Sequence, residues 1–469
     1  MHVDEMAQAT PIQDNFPTWL RDLGPKSGPR YLQIADAIER ALAEGSLRPG
    51  DRLPPQRALA ALLQLDLTTI TRAYDEARRR NLLEGQGARG TYAARPKVEL
   101  APMLDMSMNI PPPPAGVDFS DMLKQGLAQI LLRTDSDLLM SYHLGGGSQP
   151  ERAAGALWLA PMFPRVQADD VVVCSGAQPA LAALILSLTE PGDAIVTEQA
   201  LYPGLRAAAG QLGRSVISVE GDEHGMHPYA LEKACRKHNA RLVYLNPTLQ
   251  NPTGRTMPAQ RRREIADTAR RCEIFIIEDD PYWLLMDDAP APVASHAPER
   301  ACYVHTLSKC LAPGLRTAFV LLPDAPLRER FMSALRSFVL MSTPLTAALA
   351  TQWIHDGTAA RLLAGIKEEA RARQQLARSL LAVTEADADG IHVWLVLPGY
   401  WTSQELAQTA HAEGVSVTPS EVFYGTVKPP NAIRISLGSI RERAHLASAL
   451  RKLSHLLARR PAPRRDIVV

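Results

Sequence analysis

Apolar positions in the first hundred residues recur at helical spacing. Leu32, Ile34, Ala35, Ile38 and Leu42 define a helix over Tyr31 to Leu42, which Gly45 and Pro49-Gly50 end. Leu53-Pro54-Pro55 opens a second short amphipathic helix, Arg57 to Leu63, since proline is tolerated in a first turn. Asp66 is placed to cap a third, Leu67 to Arg80. Leu82-Leu83-Glu84, glycines at 85, 87 and 90, and Thr91-Tyr92 then read as a small hairpin with a glycine-rich tip. Three short helices followed by a hairpin predict a winged helix-turn-helix.

The pattern changes beyond a linker from Arg95 to Pro102 and a proline run from Pro111 to Pro114. Asp118 to Leu132 reads as a helix. Short continuous apolar runs follow: Val171 to Cys174, Ala194 to Thr197, Val216 to Val219, Leu242 to Leu245, Ile274 to Ile277, Cys302 to Val304 and Ala318 to Leu322. Helical stretches separate most of them. Such alternation predicts an α/β fold with a mostly parallel sheet covered on both faces, its ligands outside the carboxyl ends of the strands. From Ser333 the chain reads as helical to Val383. A helix over Thr402 to Glu413, a strand over Ala432 to Ile435 and a helix over Glu442 to Ala458 predict a smaller C-terminal α+β subdomain. The expected organisation is a DNA-binding domain over 16–94, a linker over 95–102, a ligand domain over 103–458 and a basic, disordered tail over 459–469.

Composition narrows the classes. A chain of 469 residues exceeds one ordinary core. With a net charge of +1, any contact with nucleic acid must come from a local patch. Arg57, Arg72, Arg78, Arg79, Arg80 and Arg89 supply one. Five cysteines without paired spacing suggest free thiols in a reducing compartment and no metal site. The stretch from Met1 to Phe16 lacks the apolar core of a signal peptide, and no run reaches membrane-helix length, so a cytoplasmic protein away from membranes is expected.

The chemistry concentrates at His305-Thr306-Leu307-Ser308-Lys309-Cys310, just past an apolar strand. An amine held there is partly desolvated and becomes a nucleophile toward an aldehyde. Thr306, Ser308 and Arg316 are residue types that hold phosphate. Ser175-Gly176-Ala177-Gln178 opens a helix, whose N-terminus attracts anions. Asp279 at a strand end suits a protonated ring nitrogen, Asn251 and Tyr282 suit a ring oxygen, and Tyr202 suits a ring face. Arg434, alone in an apolar strand, suits a carboxylate.

Two resemblances follow. Leu53-Pro54, Arg57, Leu59-Ala60, Thr68-Thr69, Arg72-Ala73-Tyr74 and Gly90-Thr91 resemble the GntR-type DNA-binding domain. That implies a helix from Leu67 in the major groove of double-stranded DNA, a wing over Gln86 to Gly90, and contacts from Arg57, Thr68, Thr69, Thr71, Arg72, Arg89 and Gly90. Gln64 stands where that family usually has glycine. Leu67 replaces its base-contacting arginine and cannot donate to a guanine edge. From about Met103 to Leu457 the chain resembles fold-type I aminotransferases that use pyridoxal 5′-phosphate. The resemblance implies that Lys309 anchors the cofactor as an imine and Asp279 pairs with its ring nitrogen. Asn251 and Tyr282 would contact the phenolate and Tyr202 would stack. Gly176, Ala177, Gln178, Thr306 and Arg316 would serve the phosphate, and Arg434 the ligand carboxylate. Tyr142 looks like the tyrosine that reaches the phosphate of a neighbouring subunit, implying a homodimer. Ala318 departs from the family's usual glycine.

Together the halves resemble the MocR-type (GabR-like) branch of GntR regulators. The resemblance implies a transcription factor that senses the cofactor, an amine or an amino acid through imine exchange at Lys309. The competing expectation is a working aminotransferase, of 2-aminoadipate, aromatic or broad amino-acid type, that carries a DNA-binding domain.

Overall fold

The computed structural model describes Leu20 and residues 28–80, 82–85, 90–94, 103–381 and 390–460. The chain divides into two compact units, Met1–Pro102 and Met103–Val469. The expected linker over 95–102, the wing tip over 86–89 with Arg89, and the tail from 461 lie outside the described residues.

The first unit holds α1 (Arg30–Ala43), α2 (Gln56–Leu63), α3 (Leu67–Arg79) and the antiparallel pair β1 (Leu83–Gly85) and β2 (Thr91–Ala93). Its core is the apolar stripe that the sequence pattern marks: Ile34, Ala35 and Ile38 meet Ile70, Ala73, Tyr74 and Ala77. Tyr74 is fully buried, and its hydroxyl donates to the Pro54 carbonyl at 2.8 Å, tying α3 to the entry of α2. Two details depart from expectation. Asp66 occupies the N-cap position of α3, but its side chain makes no capping hydrogen bond. Gln64 ends α2 in the left-handed region, at φ 53 and ψ 43. That conformation crowds a Cβ, which explains why related domains place glycine there.

In the second unit, seven strands form one sheet: β3 (Val171–Cys174), β4 (Ala194–Glu198), β5 (Ser215–Val219), β6 (Leu242–Leu245), β7 (Phe275–Asp279), β8 (Ala301–Thr306) and β9 (Ala318–Leu321). Their spatial order is β3-β9-β8-β7-β6-β4-β5. β9 pairs antiparallel with both neighbours, and the other pairs are parallel. Both faces are buried. Val171 and Val173 enter one apolar core, while Val172 and Cys174 enter the other beneath α4 (Ala177–Leu188). Two covered faces require unbroken apolar strands.

A smaller antiparallel sheet follows, ordered β10 (His392–Val396), β12 (Ala432–Ser436) and β11 (Thr418–Pro419). Leu104–Asp105 pairs in parallel with Val415–Ser416, and Ser436 N donates to the Met106 carbonyl at 2.8 Å. These bonds lead the opening segment of the unit across to β12. No helix among the described residues is long and apolar enough to cross a membrane.

Candidate functional site

The site assembles at the carboxyl ends of β8 and β7. β8 is buried throughout and ends at Thr306. Lys309 lies in the turn beyond it, and Nζ donates to the backbone carbonyl of Asn109. On β7 and just past it, three successive carboxylates take separate partners. Glu278 accepts from the Val293 and Ala294 amides at 2.8 and 2.7 Å. Asp280 accepts from the Thr248 hydroxyl at 2.6 Å. Fully buried Arg262 lies 3.7 Å from Glu278 and 4.0 Å from Asp280. Asp279, between them in sequence, points elsewhere: Tyr244 on adjacent β6 donates to its Oδ2 at 2.8 Å. Alternation along a strand makes this separation possible.

Burial dominates the electrostatics. It pushes the Lys309 amine down to about 8; Arg434 adds to the shift and Asp279 opposes it. It pushes the Asp279 carboxyl up to about 7, against the Tyr244 hydrogen bond. It also pushes Arg434 down to about 10, from where Nη1 donates to Asn251 Oδ1 at 2.8 Å and Nη2 to the Ser107 carbonyl. Arg434 lies 4.9 Å from the Phe423 ring centroid, a cation–π contact. Tyr282 is buried, and its hydroxyl accepts from Asn109 Nδ2 at 3.0 Å.

The anion side forms where α4 begins. Gly176 has φ +95, and a Cβ there would lie 2.9 Å from Arg316 Nη2. Only glycine allows that approach. Ala177 and Gln178 open α4, where amide hydrogens lack helical partners. Gln178 Nε2 donates to the Gly204 carbonyl at 2.8 Å. Thr306 and Ser308 hydroxyls lie 3.0 Å apart. Tyr202 occupies the N-cap position of the following helix, and burial, with the field of Asp279 second, pushes its hydroxyl up.

Two atoms test whether a pyridine aldehyde phosphate fits. Asp279 Oδ1 is buried without a hydrogen-bond partner, as is Gln178 Oε1. An unpaired buried carboxylate oxygen is costly unless something donates to it. A protonated ring nitrogen is such a donor, and the Gly176–Arg316 cradle suits an anion, so the residues fit the group.

The structure therefore brings together Lys309, Asp279, Tyr282, Asn251 and Arg434, with Gly176, Ala177, Gln178, Thr306 and Arg316 along the anion side. Tyr142 is not among them; it is 74% exposed. Sequence reasoning missed Asn109, Tyr244 and His392. His392 is buried and pushed down to about 3 by that burial, so it is neutral. Its Nε2 lies 3.3 Å from the Gln250 carbonyl and its Nδ1 3.2 Å from Asn109 Nδ2. Nε2 therefore carries the proton, and Nδ1 accepts from Asn109.

In the first unit, Arg57, Thr68 and Arg72 are exposed or half-buried, and neither arginine makes an ion pair among the described residues. Thr69 lies beside them on α3, and Thr71 turns its hydroxyl toward Gln56 Oε1 at 2.9 Å and the Leu67 carbonyl at 3.0 Å. Gly90 has φ +114 and backs onto Arg52. The expected phosphate-neutralising trio fares differently. Arg78 binds Asp75, Arg79 binds Glu76, and Arg80 binds Asp36, Glu39 and Glu76. Acidic residues of α3 itself and of the neighbouring α1 face them, so these arginines are engaged within the domain. Leu67 is 42% exposed at the start of α3, the position at which this chain lacks the family's arginine donor.

Comparisons agree with this architecture. Residues 30–93 match the family model for bacterial regulatory proteins, gntR family, and residues 133–450 match aminotransferase class I and II. The uncharacterized HTH-type transcriptional regulator YdeF of Bacillus subtilis (strain 168) is 30% identical over 457 residues, 95% of this chain and 98% of its own. The vitamin B6 salvage pathway transcriptional repressor PtsJ of Salmonella typhimurium is 28% identical over 429 residues, 87% of this chain and 94% of its own. Among solved structures, the α-aminoadipate aminotransferase LysN of Thermus thermophilus, complexed with N-(5′-phosphopyridoxyl)-L-leucine, aligns with a TM-score of 0.69. It is 24% identical, and the match covers 76% of this chain and 92% of its own, a likeness of fold. The chain belongs to the GntR-family transcriptional regulators of the MocR type, in which a helix-turn-helix domain is joined to an aminotransferase class I/II domain.

Proposed function

We propose that this regulator holds pyridoxal 5′-phosphate at Lys309 and adjusts its grip on DNA when an amine or amino acid reaches that cofactor. The observation that carries this reading is the pairing of a desolvated Lys309 amine with the unpartnered Oδ1 of Asp279 at adjacent strand ends. In this reading Lys309 anchors the cofactor and Asp279 holds a proton at the ring nitrogen. Asn251 and Tyr282 bind the ring oxygen, and Tyr202 covers the ring. Gly176, Ala177, Gln178, Thr306 and Arg316 hold the phosphate. When bound, the cofactor supplies an aldehyde that reacts reversibly with primary amines. Arg434 then selects amines that carry a carboxylate, because a planar guanidinium binds one with two parallel hydrogen bonds. The name of PtsJ, a repressor of vitamin B6 salvage, supports a ligand of this chemistry.

The DNA side of the reading uses residues 16–94, with Arg57, Thr68, Thr69, Thr71, Arg72, Arg89 and Gly90 on the duplex. A homodimer would present two such domains, with Tyr142 extending to the partner's phosphate. Ligand binding changes DNA affinity only through its differential affinity for two states, typically by about 1–3 kcal/mol.

The test pairs a spectrum with a DNA titration. Wild-type protein given pyridoxal phosphate is expected to gain a visible absorption band that Lys309→Ala lacks. Addition of cofactor or amino acid is expected to shift operator affinity by about 5- to 150-fold. An unchanged band in Lys309→Ala, or a DNA affinity indifferent to both additions, overturns the reading. Brisk multiple-turnover transamination without DNA retention would support the enzyme instead.

A further inference from the structure

A cavity of about 290 Å³ opens beside the loop that carries Asn251, with Asn246 and Gln250 in its wall. Its lining combines Met226, Met257 and Val219 with Glu198, Arg255 and Tyr424. It takes no part in the function proposed above. Its volume is about that of ten water molecules in the liquid, enough for a small polar metabolite.

Two opposite charges line it without meeting. Glu198 ends β4, and one of its oxygens accepts from the Met226 amide at 3.2 Å. Neither Glu198 nor Arg255 makes an ion pair with any described residue, so they lie more than 4.0 Å apart. Of the other two acids in the lining, Asp222 is already held by Arg261 at 2.9 Å and Glu223 is exposed. The Tyr424 hydroxyl lies within the field of both free charges: Glu198 acts on it in one direction and Arg255 in the other. Glu223 and His224 lie at the exposed rim, as does Arg255, while Glu198 sits deeper. A deep carboxylate and a rim guanidinium facing one cavity, with no ion pair between them, match a ligand that carries both charges at a fixed separation.

We propose that this cavity is a second ligand site, which binds a small amino acid as its zwitterion, with the ammonium on Glu198 and the carboxylate on Arg255. Tyr424 supplies a hydroxyl between them, and Met226 and Met257 supply an apolar wall. Burial pushes Glu198 up to about 7, so an ammonium beside it favours the charged carboxylate.

The site is wired to the first one. Asn246, in its lining, accepts from the Asn251 amide at 2.8 Å and donates to the Asp279 carbonyl at 2.6 Å. Gln250 N donates to the Arg255 carbonyl at 2.8 Å, and the Gln250 carbonyl faces His392. A ligand that draws Arg255 inward therefore pulls on the loop that carries Asn251. Occupancy here adjusts the geometry around Asp279 and Arg434 and gives the regulator a second input.

Calorimetric titration of the full chain carrying Lys309→Ala and Arg434→Ala tests the proposal, because the first site then contributes nothing. Glycine, L-alanine and L-glutamine serve as probes, with acetate and methylamine as single-charge controls. At least one amino acid is expected to bind at one site per chain, with both controls weaker by about tenfold or more. Glu198→Gln keeps an acceptor for the Met226 amide, and it should weaken binding by a similar factor, as should Arg255→Gln. Absence of binding by all three amino acids overturns the proposal, as does binding that both substitutions leave unchanged. Should the double variant fail to fold, hydrogen exchange on wild-type protein loaded with pyridoxal phosphate decides the matter. Amino-acid protection of Gly221 to Met226 that vanishes in Glu198→Gln supports the site. Protection that persists in Glu198→Gln, or none in wild type, overturns it. The calorimetric result does not depend on whether Lys309 holds the cofactor, and the Glu198→Gln comparison separates the two sites in the exchange experiment.

Discussion

Asp279 has one oxygen bonded to Tyr244 and the other bonded to nothing. Removing the first partner should be felt in two ways. Tyr244→Phe strands the whole carboxylate and is expected to cost about 1–3 kcal/mol of stability in the cofactor-free protein, measured by thermal or denaturant unfolding. It should also raise the Asp279 pKa beyond about 7 and weaken cofactor binding in a spectrophotometric titration. Lys309 makes a pH prediction. Its folded value, about 8, lies below the ordinary 10.5, so the uncharged amine gains ground as pH rises through about 8. The rate of cofactor uptake should climb across that window and then level. Stability should move the same way, because between those values the unfolded chain binds more protons than the folded one. A flat uptake profile from pH 7 to 9 would contradict the placement. At this scale the sequence is partly legible. Lys309, Asp279 and Arg434 stand out because a charge in or beside an apolar strand is costly without a purpose. Asn109 does not, since an asparagine before a proline run has no periodicity to violate. Tyr244 reads as one more core aromatic, and only the pairing of β6 with β7 sets it against Asp279.

Among the elements, α2 carries a visible cost. Gln64 sits at φ 53, where an L side chain is strained by about 1 kcal/mol or more. Gln64→Gly is expected to stabilise the helix-turn-helix unit by about that amount, read as a higher unfolding midpoint. No gain, or a loss, would place the strain elsewhere. The strands of the large sheet are legible as continuous apolar runs, and their ends fall within a residue or two of expectation. Their order is not legible, because each run is equally apolar on both faces and nothing in it names its neighbour. The reversed direction of β9 is hidden for the same reason. Yet that reversal sets Ala318 beside both Cys174 and Thr306, and so gathers Gly176, Thr306 and Arg316 into one cradle. Caps are not reliably legible either: Asp66 makes no capping bond, while Thr402 and Glu405, which read as part of a helix, form a full capping box at the start of the helix over Ser403–Ala412.

For the whole molecule, the arginines of the first unit divide into two groups with different expected phenotypes. Arg57 and Arg72 make no ion pair among the described residues, so Arg57→Ala or Arg72→Ala should weaken binding across DNA sequences and reduce the salt slope by about one unit each. Arg79→Ala and Arg80→Ala should leave that slope nearly unchanged, because their charges are already matched by Glu76, Asp36 and Glu39. Their effect should appear in thermal unfolding instead. Titration of one duplex at several salt concentrations separates the two groups. Counting arginines along the chain cannot make this division. Asp36 and Glu39 are far from Arg80 in sequence, and only the packing of α1 on α3 brings them together.

The chain leaves the large sheet at Thr306 and re-enters it at Ala318, directly opposite in register, and the Leu307 amide closes the neck on the Thr317 carbonyl at 3.0 Å. Everything between those two points, Lys309 included, is a cartridge clamped at both ends by the sheet and anchored beneath it by Leu307, Cys310, Leu311 and Leu315. A lineage that exchanges turnover for signalling can rewrite the polar positions of this insert, Ser308 and Lys309 among them, while its apolar positions keep the scaffold intact.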